Sequence, residues 1–193
     1  MANSGAMPMP RPGLAGYWDR LVGPGMTTGE LALVLGASVL GGIWAAWRLA
    51  DTGHIPLLIM LGAMIGFDTI GGAVCNTTWT TKRWYFRAGQ GWRHHVAFVM
   101  PHLLYLAIGW WLFGFSVALI AVLGIGVVGG MIAILAAPAE VRLPVATSVF
   151  LAAMCAVLIV GSGTAAGSWG FEWFAPALLM KLLIGHLVPP EAT

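Results

Sequence analysis

Charge is what this chain has least of. Of its 193 residues only 8% are Asp, Glu, Lys or Arg, while 59% are hydrophobic. A soluble globular domain carries about 25% charged residues, so this composition cannot supply a solvated surface. A mean hydropathy of +0.88 points to a polytopic membrane protein. Cysteine is nearly missing: Cys75 and Cys155 are the only two. Both fall in apolar or membrane-edge sequence, and neither reads as a disulfide partner. Residues 1–28 are rich in Gly, Pro and Met but lack the apolar run of a cleavable leader. They are expected to form a flexible or surface-lying tail. No segment is polar enough for a soluble domain, so any activity lies in the membrane or at its surface. Catalytic signatures are absent as well: no D-G-x-x-A-R, G-x-S-x-G, H-E-x-x-H or G-x-x-x-x-G-K-[ST] occurs.

What is present is apolar sequence in bilayer-length pieces. Six spans are expected: Glu30–Ala50, Ile55–Cys75, Val96–Phe115, Ser116–Ala137, Pro144–Gly163 and Phe171–Val188. Each approaches the ~20 residues that a hydrocarbon core of ~30 Å requires. The third and fourth are nearly continuous. They are divided at Leu112-Phe113-Gly114-Phe115-Ser116, because one helix through both would be about twice the bilayer thickness. The fold class is therefore all-α, a transmembrane bundle forming a single domain over 29–193. Arg11, Arg20, Lys82, Arg83, Arg87, Arg93 and Arg142 share one side of this topology, and Arg48 lies near the other. The positive-inside rule then puts both termini in the cytoplasm, consistent with a multi-pass protein of a bacterial inner membrane.

Loops are short except 77–94. There Trp79, Trp84, Tyr85, Phe86 and Trp92 alternate with Lys82, Arg83, Arg87 and Arg93. Aromatics favour the headgroup level and cations favour anionic lipid, so this loop is expected to hold a short interfacial helix. Lys82, Arg83, Arg87, Arg93, Trp79 and Trp84 are its candidate headgroup contacts. Nucleic-acid stacking also uses such interleaving, but a loop pinned between two spans makes nucleic acid an unsuitable partner. Small-residue stripes, such as Gly126 and Gly130, or Ser38 and Gly42, mark close helix contacts. Within-bundle packing explains them, and a homo-oligomer or larger membrane complex stays open.

Three ionisable residues lie inside spans: Asp68, His102 and Lys181. A charge at the bilayer centre costs ~2.5–3.5 kcal/mol even on the mildest scale, so each is expected to face the bundle interior. At 1.5 Å per residue all three fall about 9–10 Å below the cytoplasmic end of their spans. Their faces are also compatible. Asp68, Gly71, Gly72, Cys75 and Asn76 form one helical stripe, and His95, His102 and Tyr105 form another. We therefore expect an Asp68–Lys181 ion pair with His102 close by, in a pocket lined by Gly71, Gly72, Cys75, Asn76 and Tyr105. The competing reading makes the pair structural glue. His186 projects about 140° from Lys181 on an ideal α-helix, so the two need not share a site. Glu172 and the Trp169/Trp173 pair are assigned to the outer interface.

Metal and cofactor assignments find little support. Haem needs axial ligands, often histidines from two helices; His102 could pair with His95 or His186, but no His-to-His spacing repeats. Membrane di-iron enzymes carry several His boxes, where this chain has only His94-His95. Microbial rhodopsins hold retinal on a lysine of the last span, but they have seven spans and an aspartate where this chain has Ala177. No metal site is expected, the cofactor is unknown, and enzymatic activity is unassigned. The expectation is a membrane protein with a cytoplasm-facing polar site that binds or translocates a small solute, ion or lipid. The alternatives are a structural or assembly subunit, a lipid-modifying enzyme or a haem-binding redox protein.

Overall fold

Thr27 begins the first long helix of the computed structural model, which describes residues 7–162 and 170–190. Its hydroxyl accepts from the Glu30 amide at 3.2 Å while Glu30 Oε2 accepts from the Thr27 amide at 3.0 Å, a reciprocal cap. The chain enters through a short helix, α1 (Gly13–Val22). The long helices are α2 (Thr28–Asp51), α3 (Pro56–Thr77), α7 (Val117–Ala136) and α8 (Arg142–Ser162). A composite third span runs through α5 (Trp92–Val99), a 3-10 turn (Met100–Leu103) and α6 (Leu104–Phe113). A second short helix, α4 (Trp79–Tyr85), lies with α1 outside these spans. The last described helix is α9 (Phe174–Leu179), which continues as a π-helical segment, Met180–His186.

The protein is thus an all-α membrane bundle with five helices long and apolar enough to span, plus a shorter sixth, among the described residues. Its surface supports that reading directly. Val117 and Ile125 are both 72% exposed, in a helix whose composition is strongly apolar. Such a surface is a liability in water and is ordinary against lipid. Gly163 at the end of the fifth expected span, and Trp169, lie outside the described residues.

Each break has a local cause. Pro101 lacks the amide an α-helix needs, and the third span tightens to 3-10 around it. Gly114 takes φ 68°, a left-handed conformation that glycine adopts freely, and ends α6. Ser116 then caps α7 by accepting from the Leu119 amide at 3.1 Å. The two continuous apolar stretches therefore fold back where the sequence divides them.

The last span is the axis of the bundle. Phe174, Leu178, Leu179, Leu182, Leu183 and Leu187 are each at most 1% exposed. Helices α3, α7 and α8 all pack on it, and α2 and α3 form the most extensive helix pair. That pair is close because of small residues: a Cβ on Gly71 would fall 1.7 Å from Ser38 Oγ. One end of the bundle carries α1, α4, Arg93 and Arg142. At the other, Arg48 pairs with Asp51 at 2.8 Å and with Glu172.

The segment 1–28 contains a helix. Arg11 folds back over α1 and clasps Asp19 with three donors, its amide and Nε at 2.9 Å and Nη2 at 2.7 Å. The other end of α1 is fastened to α4. Thr81 Oγ1 donates to Val22 O at 2.5 Å, Trp84 Nε1 to Arg20 O at 2.9 Å and Tyr85 OH to Leu21 O at 2.9 Å. These are carbonyls that a helix end leaves without internal partners.

Candidate functional site

Three spans meet at one carboxylate. Lys181 Nζ lies 2.6 Å from Asp68 Oδ2 and 3.2 Å from the Asp68 backbone oxygen. The Tyr105 hydroxyl, from the third span, donates to the same Oδ2 at 2.8 Å. Asn76, two turns along α3, donates from Nδ2 to Lys181 O at 3.1 Å and so holds the lysine backbone against α3. The two ends of the ion pair differ in access. The Lys181 side chain is 4% exposed and the Asp68 side chain 45% exposed.

The exposed carboxylate opens onto a cavity of about 340 Å³. Asp68, Gly71, Gly72, Cys75, Asn76, His102 and Lys181 line it, as do Trp18 and Val22 of α1, Val34 and Ser38 of α2, and Phe67, Tyr85 and Phe98. Tyr105 reaches the site through its bond to Asp68. Most of this wall is apolar, with a few polar groups gathered on one side, the usual constitution of a small-molecule site. Cys75 is buried and its thiol lies 3.4 Å from Thr81 Oγ1.

His102 is held by its Nδ1–H, which donates to Phe98 O at 2.9 Å. Its ring also sits edge-on to Tyr105, with centroids 5.8 Å apart. Phe98 continues the chain of rings. It stacks on His186 at 3.8 Å, and His186 Nε2 lies 3.2 Å from His95 Nδ1. His186 is thereby joined to the neighbourhood of Lys181, contrary to the geometry expected of an α-helix. Met180–His186 is π-helical, bonding each residue to the fifth beyond it. More residues fill each turn, so the five steps from Lys181 to His186 fall closer to one revolution. His186 Nδ1 is buried with no hydrogen-bond partner among the described residues. Sequence patterning puts His95 on one stripe with His102 and Tyr105 but gives no reason to join His186 to it. The stripe His95–Phe98–His102 is visible in the spacing, but the π turn leaves no plain mark in sequence.

The short helix α4 does more than sit beside the spans. Lys82, expected among the headgroup-facing cations, instead turns its ammonium onto the end of the last span. It donates to Ile184 O at 3.3 Å, Gly185 O at 2.9 Å and Val188 O at 2.6 Å. A cation at a helix C-terminus satisfies orphan carbonyls and opposes the helix dipole. Burial pulls the Lys82 ammonium down to about 8 and pushes the Tyr85 phenol up to about 12. The arginines behave differently. Arg87 lies 3.5 Å above the Trp84 ring, Arg83 5.9 Å from Trp79 and Arg93 5.4 Å from Trp92. Each is a cation held by an aromatic face.

Among the described residues no three His, Cys, Asp or Glu side chains converge as a metal site. No protein-family model, curated protein or solved structure matches this chain, so the reading of the site rests on its own geometry.

Proposed function

We propose that this integral membrane protein binds a small amphipathic solute or lipid group in the Asp68 crevice, at the basic end of the bundle, and hands it between membrane and cytoplasm. The exposure difference within the ion pair carries the reading. A pair serving only to fix helix packing has no need of a cavity beside one of its charges, whereas a binding site must leave a charge within a ligand's reach. Here the ammonium is sealed and the carboxylate faces a cavity. The positive-inside rule supports a cytoplasmic location for this end, which carries Lys82, Arg83, Arg87, Arg93 and Arg142.

A thermal-shift screen of small solutes and lipids on the nanodisc-embedded protein tests it, with binding of the hits compared between wild type and Asp68→Asn. A ligand that stabilises the wild type and loses at least tenfold in affinity in the variant supports the proposal. No stabilising ligand, or equal affinity in both proteins, overturns it. A second reading, a subunit of a larger membrane complex, draws on a wholly apolar surface groove lined by Leu40, Ile43, Trp44, Trp47, Ile70 and Trp173.

A further inference from the structure

We propose that the crevice selects an organic cation, a protonated amine or quaternary ammonium carried on an apolar body. This deepens the proposed function and rests on it.

The charge a ligand can reach decides the class. An anion would need Lys181, but that side chain is 4% exposed and its ammonium is engaged by Asp68 Oδ2 and the Asp68 carbonyl. What faces the cavity is the carboxylate. Its Oδ2 accepts from both Lys181 and Tyr105, while Oδ1 has no hydrogen-bond partner among the described residues. A carboxylate oxygen accepts and cannot donate while ionised, so it calls for a donor or a positive charge.

Apart from the Trp18 indole N–H and the Ser38 hydroxyl, the remaining polar lining is already engaged or offers an acceptor. The hydroxyl of Tyr85 is spent on Leu21 O, and Asn76 Nδ2 donates to Lys181 O. His102 has committed Nδ1–H to Phe98 O, so its neutral ring has only an acceptor left, at Nε2. Among the described residues no cationic side chain other than Lys181 lines the cavity. A carboxylate ligand would therefore meet Asp68 before any cation. An ammonium would meet an acceptor oxygen and an imidazole lone pair.

The apolar wall adds an attraction that a neutral ligand lacks. Trp18, Phe67, Tyr85 and Phe98 line the cavity. Aromatic rings attract cations through their quadrupole, and the attraction grows where water is excluded. Aromatic enclosure beside an exposed carboxylate is chemistry that favours a cationic head over a neutral one of the same shape.

Three benzyl probes of different charge, the first two of matched shape, test this on the full chain in nanodiscs at pH 7.5, with empty nanodiscs to subtract partitioning. They are benzyltrimethylammonium, its uncharged carbon isostere neopentylbenzene, and phenylacetate. Equilibrium dialysis is expected to show the ammonium binding at least tenfold tighter than either other probe. Asp68→Asn is expected to weaken it at least tenfold. Because that change leaves Lys181 unpaired, the double variant Asp68→Asn/Lys181→Met gives the same measurement in a site without a stranded ammonium, with the same expected loss. Lys181→Met alone keeps the carboxylate and is expected to bind the ammonium at least as tightly as wild type. Tighter binding of phenylacetate or neopentylbenzene, lost with Asp68, overturns the cation assignment while leaving a ligand site in place. Ammonium binding unchanged in both Asp68 variants, or no binding of the ammonium at all, also overturns it.

Discussion

Gly72 and Lys181 occupy adjoining space so closely that a Cβ on the glycine would stand 2.5 Å from Lys181 Cε and 2.9 Å from its Nζ. A lysine tail is ordinarily free to move aside, but this one is pinned by Asp68. Gly72→Ala must therefore displace the ammonium from its carboxylate or push α3 away from the last span. Overpacking of this kind costs about 1–3 kcal/mol. The thermal midpoint in detergent is expected to fall, and to fall further for Gly72→Val. A midpoint unchanged by Gly72→Val would mean that the lysine is free to swing away.

Breaking the ion pair from its two ends should give unequal results. Asp68→Asn strands a buried ammonium, a defect worth about 3–5 kcal/mol. Lys181→Met leaves a carboxylate that already faces a cavity and still accepts from Tyr105, so its cost is expected to be smaller. The double variant is expected to be more stable than Asp68→Asn alone. Chemical unfolding of the three variants measures this order, and a reversed order would contradict the burial of Lys181.

The fastening of α1 can be loosened one bond at a time. Thr81, Trp84 and Tyr85 each donate to a carbonyl at its end. A neutral bond contributes about 1 kcal/mol, so Tyr85→Phe or Trp84→Phe should raise local opening about fivefold. Amide hydrogen exchange across Gly13–Val22 reads the effect directly. Exchange there that ignores both changes would show that α1 is held by something else.

Acid should release the other end of α1. The Arg11 guanidinium, through its hydrogen bonds to Asp19, holds that carboxyl below its ordinary value of 3.8. A carboxyl whose folded value is depressed contributes stability that is complete above the unfolded value and is lost as pH falls through the folded one. Protection of the α1 amides is thus expected to be constant down to about pH 4 and to drop below it. Asp19→Asn should lack that acid step, and an identical step in the variant would assign it to another group.

The sequence made Asp68 and Lys181 legible because depth and cost can be counted along a helix. A lone charge in a span needs a partner, and both residues lie at one depth. Tyr105 and the Gly71–Gly72 space followed from the same periodicity. His186 was not legible, since its position depends on a π turn that ordinary helical angles misplace. The inward turn of Lys82 is hidden for a different reason. Composition showed a basic, aromatic loop, and composition alone cannot say which way a side chain turns. The stripe Thr78, Thr81, Lys82, Tyr85, at i, i+3, i+4 and i+7, was the mark of an inward face. The role of 1–28 was hidden because the carbonyls that hold α1 are backbone groups, which no residue letter reports.

Asp68 and its lysine stand 113 residues apart in the chain, while Tyr105 follows Asp68 by 37. At synthesis rates of about 5–20 residues per second, the hydroxyl is made roughly 2–7 s after the carboxyl and the ammonium roughly 6–23 s after it. The nascent carboxyl thus reaches the membrane with Tyr105 as its first companion and waits for the last span to bring the charge that completes it. Insertion of that span is the step that completes the ion pair. A chain stopped before α9 would hold every other wall of the crevice and a carboxylate still missing its cation.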